Sequence, residues 1–240
     1  MSARGFAAYV AHELRTPIAL QLALAQAALA DPRANGVTWR AMAEGVVASC
    51  DQQGRLIDAL LDLTVSQHGL TCVEPVDIAA VASQAVHRHD LGELDCVVVL
   101  DRAVTTGDPM LLERLVDNLV SNAIRHNVPG GRIEVFSAAD AGRALLSVAN
   151  TGPLIPAGEL ARLFEPFERL ALQPRRCADG HGLGLAIVQS IADAHNATVT
   201  ARAPSDGGLQ IQVGFPHVTT EPYDEPLAVN SGSGLLAACR

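Results

Sequence analysis

The chain has 240 residues, enough for one large domain or two modest ones, and its 49% hydrophobic content supplies packed cores. A formal charge of -9 and a pI near 5.3 exclude nucleic acid as the main partner, because binding a phosphate backbone needs a basic face that no stretch here provides. Five scattered cysteines fit neither a disulfide framework nor a zinc site, which points to a reducing cytosol.

From Phe6 to Ala30 the apolar positions Phe6, Val10, Leu14, Pro17, Leu24 and Ala28 recur at helical spacing, within about 40° of one line at about 100° per residue. His12 falls on the opposite side with Ala8, Thr16 and Ala19, all small, so its imidazole is open to a bulky reactant. The uncharged run Thr16 to Ala30 is too short to cross a bilayer, which takes about 20 apolar residues. No other run approaches that length, so neither a membrane anchor nor a sensor region is expected.

Asp31 to Gly36 breaks the helix, and Thr38 is the expected N-cap of a second helix reaching about Ser66. There Met42, Val46, Ser49, Gln53, Leu56, Leu60 and Leu63 keep a heptad-like register. Two such helices form a hairpin that cannot cover both apolar stripes, and pairing into a four-helix homodimer is the natural remedy. A connector follows. Helices are then predicted over Ile78 to Val86, Pro109 to His126 and Leu183 to Ala194. Strands are predicted over Cys96 to Leu100, Ile133 to Ala138, Leu145 to Ala149, Thr198 to Ala201 and Leu209 to Phe215. This mixture gives an α+β sandwich with helices on one face of a sheet, followed by a disordered tail.

Five segments carry chemistry. His12-Glu13 puts a nucleophile beside a carboxylate, although a lone helical His is more often a plain surface or core residue. Asn118, Asn122, Arg125 and His126 share one helical edge; an Asn oxygen is a hard ligand acceptable to Mg²⁺, and Arg grips phosphate bidentately. A solvated helix face is the bland alternative. Gly180-His181-Gly182-Leu183-Gly184-Leu185 opens the last helix, and glycines at that place let backbone N–H groups meet a phosphate. Between these lie Asn150-Thr151-Gly152-Pro153-Leu154 and Leu163-Phe164-Glu165-Pro166-Phe167-Glu168-Arg169.

Taken in this order, residues 5 to 216 resemble the catalytic core of orthodox two-component sensor histidine kinases. Phe6 to Leu20 is similar to the H box, Leu115 to Asn127 to the N box and Asn150 to Ile155 to the G1 box. Phe164 to Phe167 is similar to the F box and Gly180 to Leu185 to the G2 box. The resemblance implies a dimerisation and phosphotransfer hairpin (1-68), a linker (69-76), an ATP-binding domain of the Bergerat type (77-216) and a tail (217-240). It implies ATP as phosphate donor, Asn122 as the Mg²⁺ ligand, Asn118 and Arg125 near the phosphates, and His126 close to the nucleotide. Asn150, Gly152, Gly180, Gly182, Leu183, Gly184 and Leu185 complete that site, and Arg169 reaches a phosphate from a mobile lid, Phe164 to Asp179.

By the same resemblance His12 attacks the γ-phosphate through Nε2, Glu13 takes or orients the other ring proton, and the phosphoryl group passes to an aspartate of a response regulator receiver domain. Thr16, one turn on, could position a water that dephosphorylates the regulator, or could be an ordinary exposed Thr. Ile18 and Leu22 are equally open between regulator docking and packing on the second helix. A cytoplasmic core is expected, with any sensor region removed or on another chain.

The chain departs from the family's pattern twice. Asn150 replaces the usual Asp that accepts from the adenine amine, and Leu154 replaces a glycine. A nucleotide-binding scaffold that transfers nothing is therefore the alternative reading.

Overall fold

The computed structural model describes residues 3–65, 70, 72–140, 142–168 and 182–216. Helix α1 (Ala3–Ala30) runs unbroken through Pro17 and pairs with α2 (Gly36–Val65). Val10, Leu14, Pro17 and Leu24 turn inward and Ala28 is buried, as the helical spacing predicts, whereas His12 and Thr16 stand exposed. The cap of α2 differs from expectation. Asn35, not Thr38, holds the start of the helix, its Oδ1 accepting from the N–H groups of Val37 (2.9 Å) and Thr38 (3.3 Å). Thr38 Oγ1 accepts from Asn35 N in return, so the two polar residues cap each other.

The second unit begins earlier than the sequence suggests. Within the stretch read as linker, β1 (Glu74–Asp77) pairs antiparallel with β3 (Val104–Gly107) as a two-stranded sheet. Helix α3 (Ile78–Arg88) follows, with Asp77 as N-cap accepting from Ala79 N and also from Ala103 N. The main sheet comprises β2 (Asp95–Leu100), β4 (Arg132–Asp140), β5 (Arg143–Asn150), β6 (Thr198–Arg202) and β7 (Leu209–Gly214), in the order β2-β4-β5-β7-β6. Only the β2–β4 pair is parallel, its crossover carrying β3 and α4 (Pro109–Arg125).

Alternation explains which face is covered. Ile133, Val135, Leu146, Val148, Ile211 and Val213 are buried beneath α3, α4 and α5 (Gly184–Ala194), while Phe136 and Val99 face away on the open side. Leu56 of α2 is fully buried where the hairpin meets this unit, flanked by Val10, Leu14, Ala59 and Leu60.

Two buried polar side chains next to the N-terminus of α4 behave oppositely. His195, at the end of α5, accepts from Asp108 N through Nε2 (3.0 Å) and donates from Nδ1 to Ile191 O (2.8 Å). Thr105, 1% exposed, has no partner for its hydroxyl among the described residues. A buried polar group without a partner costs about 1–3 kcal/mol, so Thr105→Val, which keeps the shape, is expected to raise the urea midpoint by the equivalent of about 1 kcal/mol. His195→Ala strands the Asp108 N–H and opens a cavity; a loss of about 2–4 kcal/mol is expected in the same titration.

Candidate functional site: an ATP site beside an exposed histidine

Helix α4 positions the Asn edge. Asp108 caps its N-terminus, accepting from Met110 N (3.0 Å) and Leu111 N (3.4 Å), and Pro109 opens it with a preset φ. Leu111, Leu112, Leu115, Val116, Leu119, Val120 and Ala123 fill the buried face, which leaves Asn118 and Asn122 half-buried on its flank and Arg125 exposed at the end. Asn118 Nδ2 donates to Arg114 O (2.8 Å), so its oxygen is directed away from its own helix. His126 is the C-cap, not a member of the helix, and its N–H returns to Asn122 O.

Asn150 closes β5 and is buried. Its Nδ2 donates to Thr151 O at 2.7 Å, and this contact fixes the amide so that Oδ1 remains the acceptor offered to a ligand. Gly152 then passes through a space with no room for a larger residue. A Cβ there would stand 3.1 Å from His126 O and 3.3 Å from Gly208 Cα. The wall behind is Gly207-Gly208, both at positive φ, with Gly208 N donating to Pro153 O (3.1 Å).

The sequence reading missed this pair, although Asp206-Gly207-Gly208 is a visible turn signal. It also gave no role of their own to Thr151 and Asn127, which it placed only within their motifs. Thr151 Oγ1 donates to Asn127 Oδ1 (2.6 Å) and accepts from Arg132 N (2.8 Å), tying the end of α4 to the first residue of β4. Leu154 is 65% exposed.

On the other side, Gly182 (φ +67) lies against the backbone of Phe167, whose N–H donates to Gly182 O (2.8 Å). Leu183 and Leu185 are buried anchors, and Gly184 begins α5 so close to α4 that a Cβ would lie 3.4 Å from Asn118 Oδ1. Among the described residues no side chain caps α5, which suits its first-turn N–H groups to an anion beside the Asn edge. Arg162 bridges Glu159 (2.9 Å) and Glu168 (3.0 Å) around the F-box turn, and the Glu168 hydrogen bond, reinforced by the charge of Glu159, raises its pKa further. Arg169 and Gly180, expected in this site, lie outside the described residues, as does the tail.

His12, Glu13 and Thr16 stand on a different element. His12 is exposed, and the Thr16 hydroxyl donates back to His12 O (3.2 Å) instead of to its ring. Ile18 and Leu22 are 55% and 57% exposed, so packing against α2 does not account for them. Among the described residues there is no cluster of His, Cys, Asp and Glu able to hold a metal ion.

Residues 107–219 match the family of histidine kinase-, DNA gyrase B- and HSP90-like ATPases, and residues 2–69 match the His kinase A phospho-acceptor domain. Sensor protein CutS of Streptomyces coelicolor is 40% identical over 216 residues, covering 88% of this chain and 52% of that protein. The chain thus spans about half the length of such relatives. Among solved structures, the mycobacterial sensor histidine kinase MprB is similar with a TM-score of 0.54 and 31% identity, over 60% of this chain and 97% of that one. The Acinetobacter baumannii histidine kinase AdeS shares the fold at a TM-score of 0.66 and 22% identity, over 86% and 98%. The chain belongs to the two-component sensor histidine kinases and carries both units of their catalytic core.

The fixed amide of Asn150 revises what an acid would do there. A carboxylate gains about 1 kcal/mol over a neutral acceptor toward the adenine amine, which from the sequence predicts tighter ATP binding. In the fold it would also set an oxygen against Thr151 O, where the amide now donates. The two effects are of similar size and opposite sign, so Asn150→Asp is expected to leave the ATP dissociation constant within about threefold of wild type by calorimetry.

Proposed function

We propose that this chain is the ATP-dependent kinase core of a two-component system, taking the γ-phosphoryl group of ATP onto His12 and passing it to an aspartate on a response regulator. The observation that carries the reading is the pairing, in one chain, of an exposed His12 with a glycine-led helix start set beside the amide edge of α4. That site is the uncapped start of α5 held against Asn118. Membership of the family favours transfer over a scaffold that binds nucleotide inertly.

Asn150 Oδ1 accepts from the adenine amine, and Gly152 and Gly208, packed against the backbone of His126 and Asn150, hold the turn that presents it. First-turn N–H groups of α5 donate to the phosphates, with Asn118 alongside and Arg125 as counter-charge. Asn122 offers a hard oxygen on the same edge and is the residue that would hold Mg²⁺. Bound there, the metal would neutralise charge on the phosphates. The His12 lone pair forms the N–P bond as the bond from γ-phosphorus to the bridging oxygen breaks, and that oxygen leaves with its electron pair on ADP. Glu13 takes or orients the proton on the other ring nitrogen.

Thr16, carried on the same face one turn along, is the residue we assign to positioning a water for dephosphorylation of the regulator. The apolar positions Ile18, Leu22, Val47, Ile57 and Leu61 are exposed on the hairpin, and a second copy of the chain covers part of this surface in a homodimer. Among the described residues no helix is long and apolar enough to cross a membrane. The core works in the cytoplasm, where ATP is available.

Incubation with γ-labelled ATP and Mg²⁺ is expected to give acid-labile, base-stable label on the wild type and none on His12→Gln. Label retained by His12→Gln, or absent from the wild type, would refute the assignment. Thr16→Ala is expected to keep autophosphorylation while slowing dephosphorylation of phospho-regulator by about tenfold.

A further inference from the structure

Three residues before His12, Tyr9 meets the F-box turn. Its ring lies 4.0 Å from that of Phe167, centroid to centroid, at an interplanar angle of 34°. On a helix the two positions are one turn apart and about 60° around the axis, so Tyr9 and His12 share a side. Phe167 is an unusual residue to find there. It is buried, and it sits at φ +68, a conformation that costs an aromatic residue energy and persists only when its surroundings impose it.

The surroundings can be followed residue by residue. Phe167 N is bonded to Gly182 O, and Gly182 has no room for a Cβ against the Phe167 backbone. Two residues on, Gly184 starts α5 within touching distance of Asn118. A short, tightly packed path therefore runs from the helix that bears His12, through one aromatic pair, to the phosphate end of the site. Leu56, fully buried with Leu60 and Val10 around it, keeps the two units in contact beside this path.

We propose that Tyr9 is a positioning residue for phosphoryl transfer. By stacking on Phe167 it seats the Gly182-Leu183 turn that enters α5 one helical turn from His12, so that the phosphates bound by a chain face that chain's own imidazole. The proposal rests on His12 being the acceptor. Tyr9 touches neither nucleotide nor reacting atoms, so its loss should leave nucleotide affinity intact and lower the rate at saturation.

The test compares the wild type with Tyr9→Phe and Tyr9→Ala in the full chain. Initial autophosphorylation rates are measured across ATP concentrations, and the dissociation constant of a non-hydrolysable ATP analogue is measured by calorimetry. Tyr9→Ala is expected to lower kcat at least about tenfold while the analogue's constant stays within about twofold, the signature of misplacement without lost binding. Tyr9→Phe, which keeps the ring, is expected to restore kcat to within about twofold of wild type. If Tyr9→Ala does not fold, Tyr9→Leu, which keeps the apolar bulk without the ring, is read in its place. An unchanged or raised kcat, an equal loss of analogue affinity, or a Tyr9→Phe as slow as Tyr9→Ala would each overturn the proposal. A wild type that takes no label would instead overturn the kinase reading itself.

Discussion

One buried histidine sets the relation between α4 and α5, the two helices that carry most of the residues we assign to the nucleotide site. His195 ends α5 and accepts from Asp108 N, and Asp108 is the residue whose carboxylate starts α4. The second ring nitrogen donates to Ile191 O, so both nitrogens are used and the orientation of the ring is fixed. Gly107 stands where any side chain would strike that ring. With the end of α5 pinned to the start of α4, the helices lie antiparallel. The start of α5 then falls beside the middle of α4, where Asn118 is. The anion-binding end of one helix and the amide edge of the other are thereby brought together by a contact at their opposite ends.

The sequence made legible what depends on periodicity and hid what depends on two distant segments meeting. Strand β4 alternates buried and exposed over most of its length, and α4 keeps a clean apolar stripe, so both were readable from spacing. Strands β1 and β3 are four residues each, one contains Pro75, and each exists only because the other is there; no local pattern announces such a pair. The misplaced cap of α2 has another cause. Asn35 and Thr38 are both good cap formers three residues apart, and a capping box uses both, so composition alone does not say which comes first.

The site divides the same way. His12, Asn118, Asn122 and the glycines before α5 were singled out from the sequence because their residue types and order suit phosphate chemistry. Gly207 and Gly208 were not, because nothing near them in sequence shows that they stand behind Asn150 and Gly152, some 55 residues earlier in the chain. Thr151 and Asn127 were given no role of their own for a related reason. Each looks like an ordinary turn residue, and only their mutual hydrogen bond shows that they lock the end of α4 to the sheet.

The hairpin shows why a seam that reads as apolar contains Ser49 and Gln53. Pro17 has no N–H and disturbs the carbonyls before it, which removes helical bonding one turn past His12. At that level Ser49 donates to Pro17 O (3.3 Å), Gln53 donates to Leu14 O (3.5 Å), and Gln21 reaches both polar residues from α1. Sliding α2 by one turn would break all of these bonds at once, whereas an all-apolar seam would tolerate the shift at little cost. The polar layer therefore fixes the register of α1 against α2. Leu56 on α2 belongs to the core shared with the second unit, so the same layer also sets the height of α1, and of His12 on it, against that shared core.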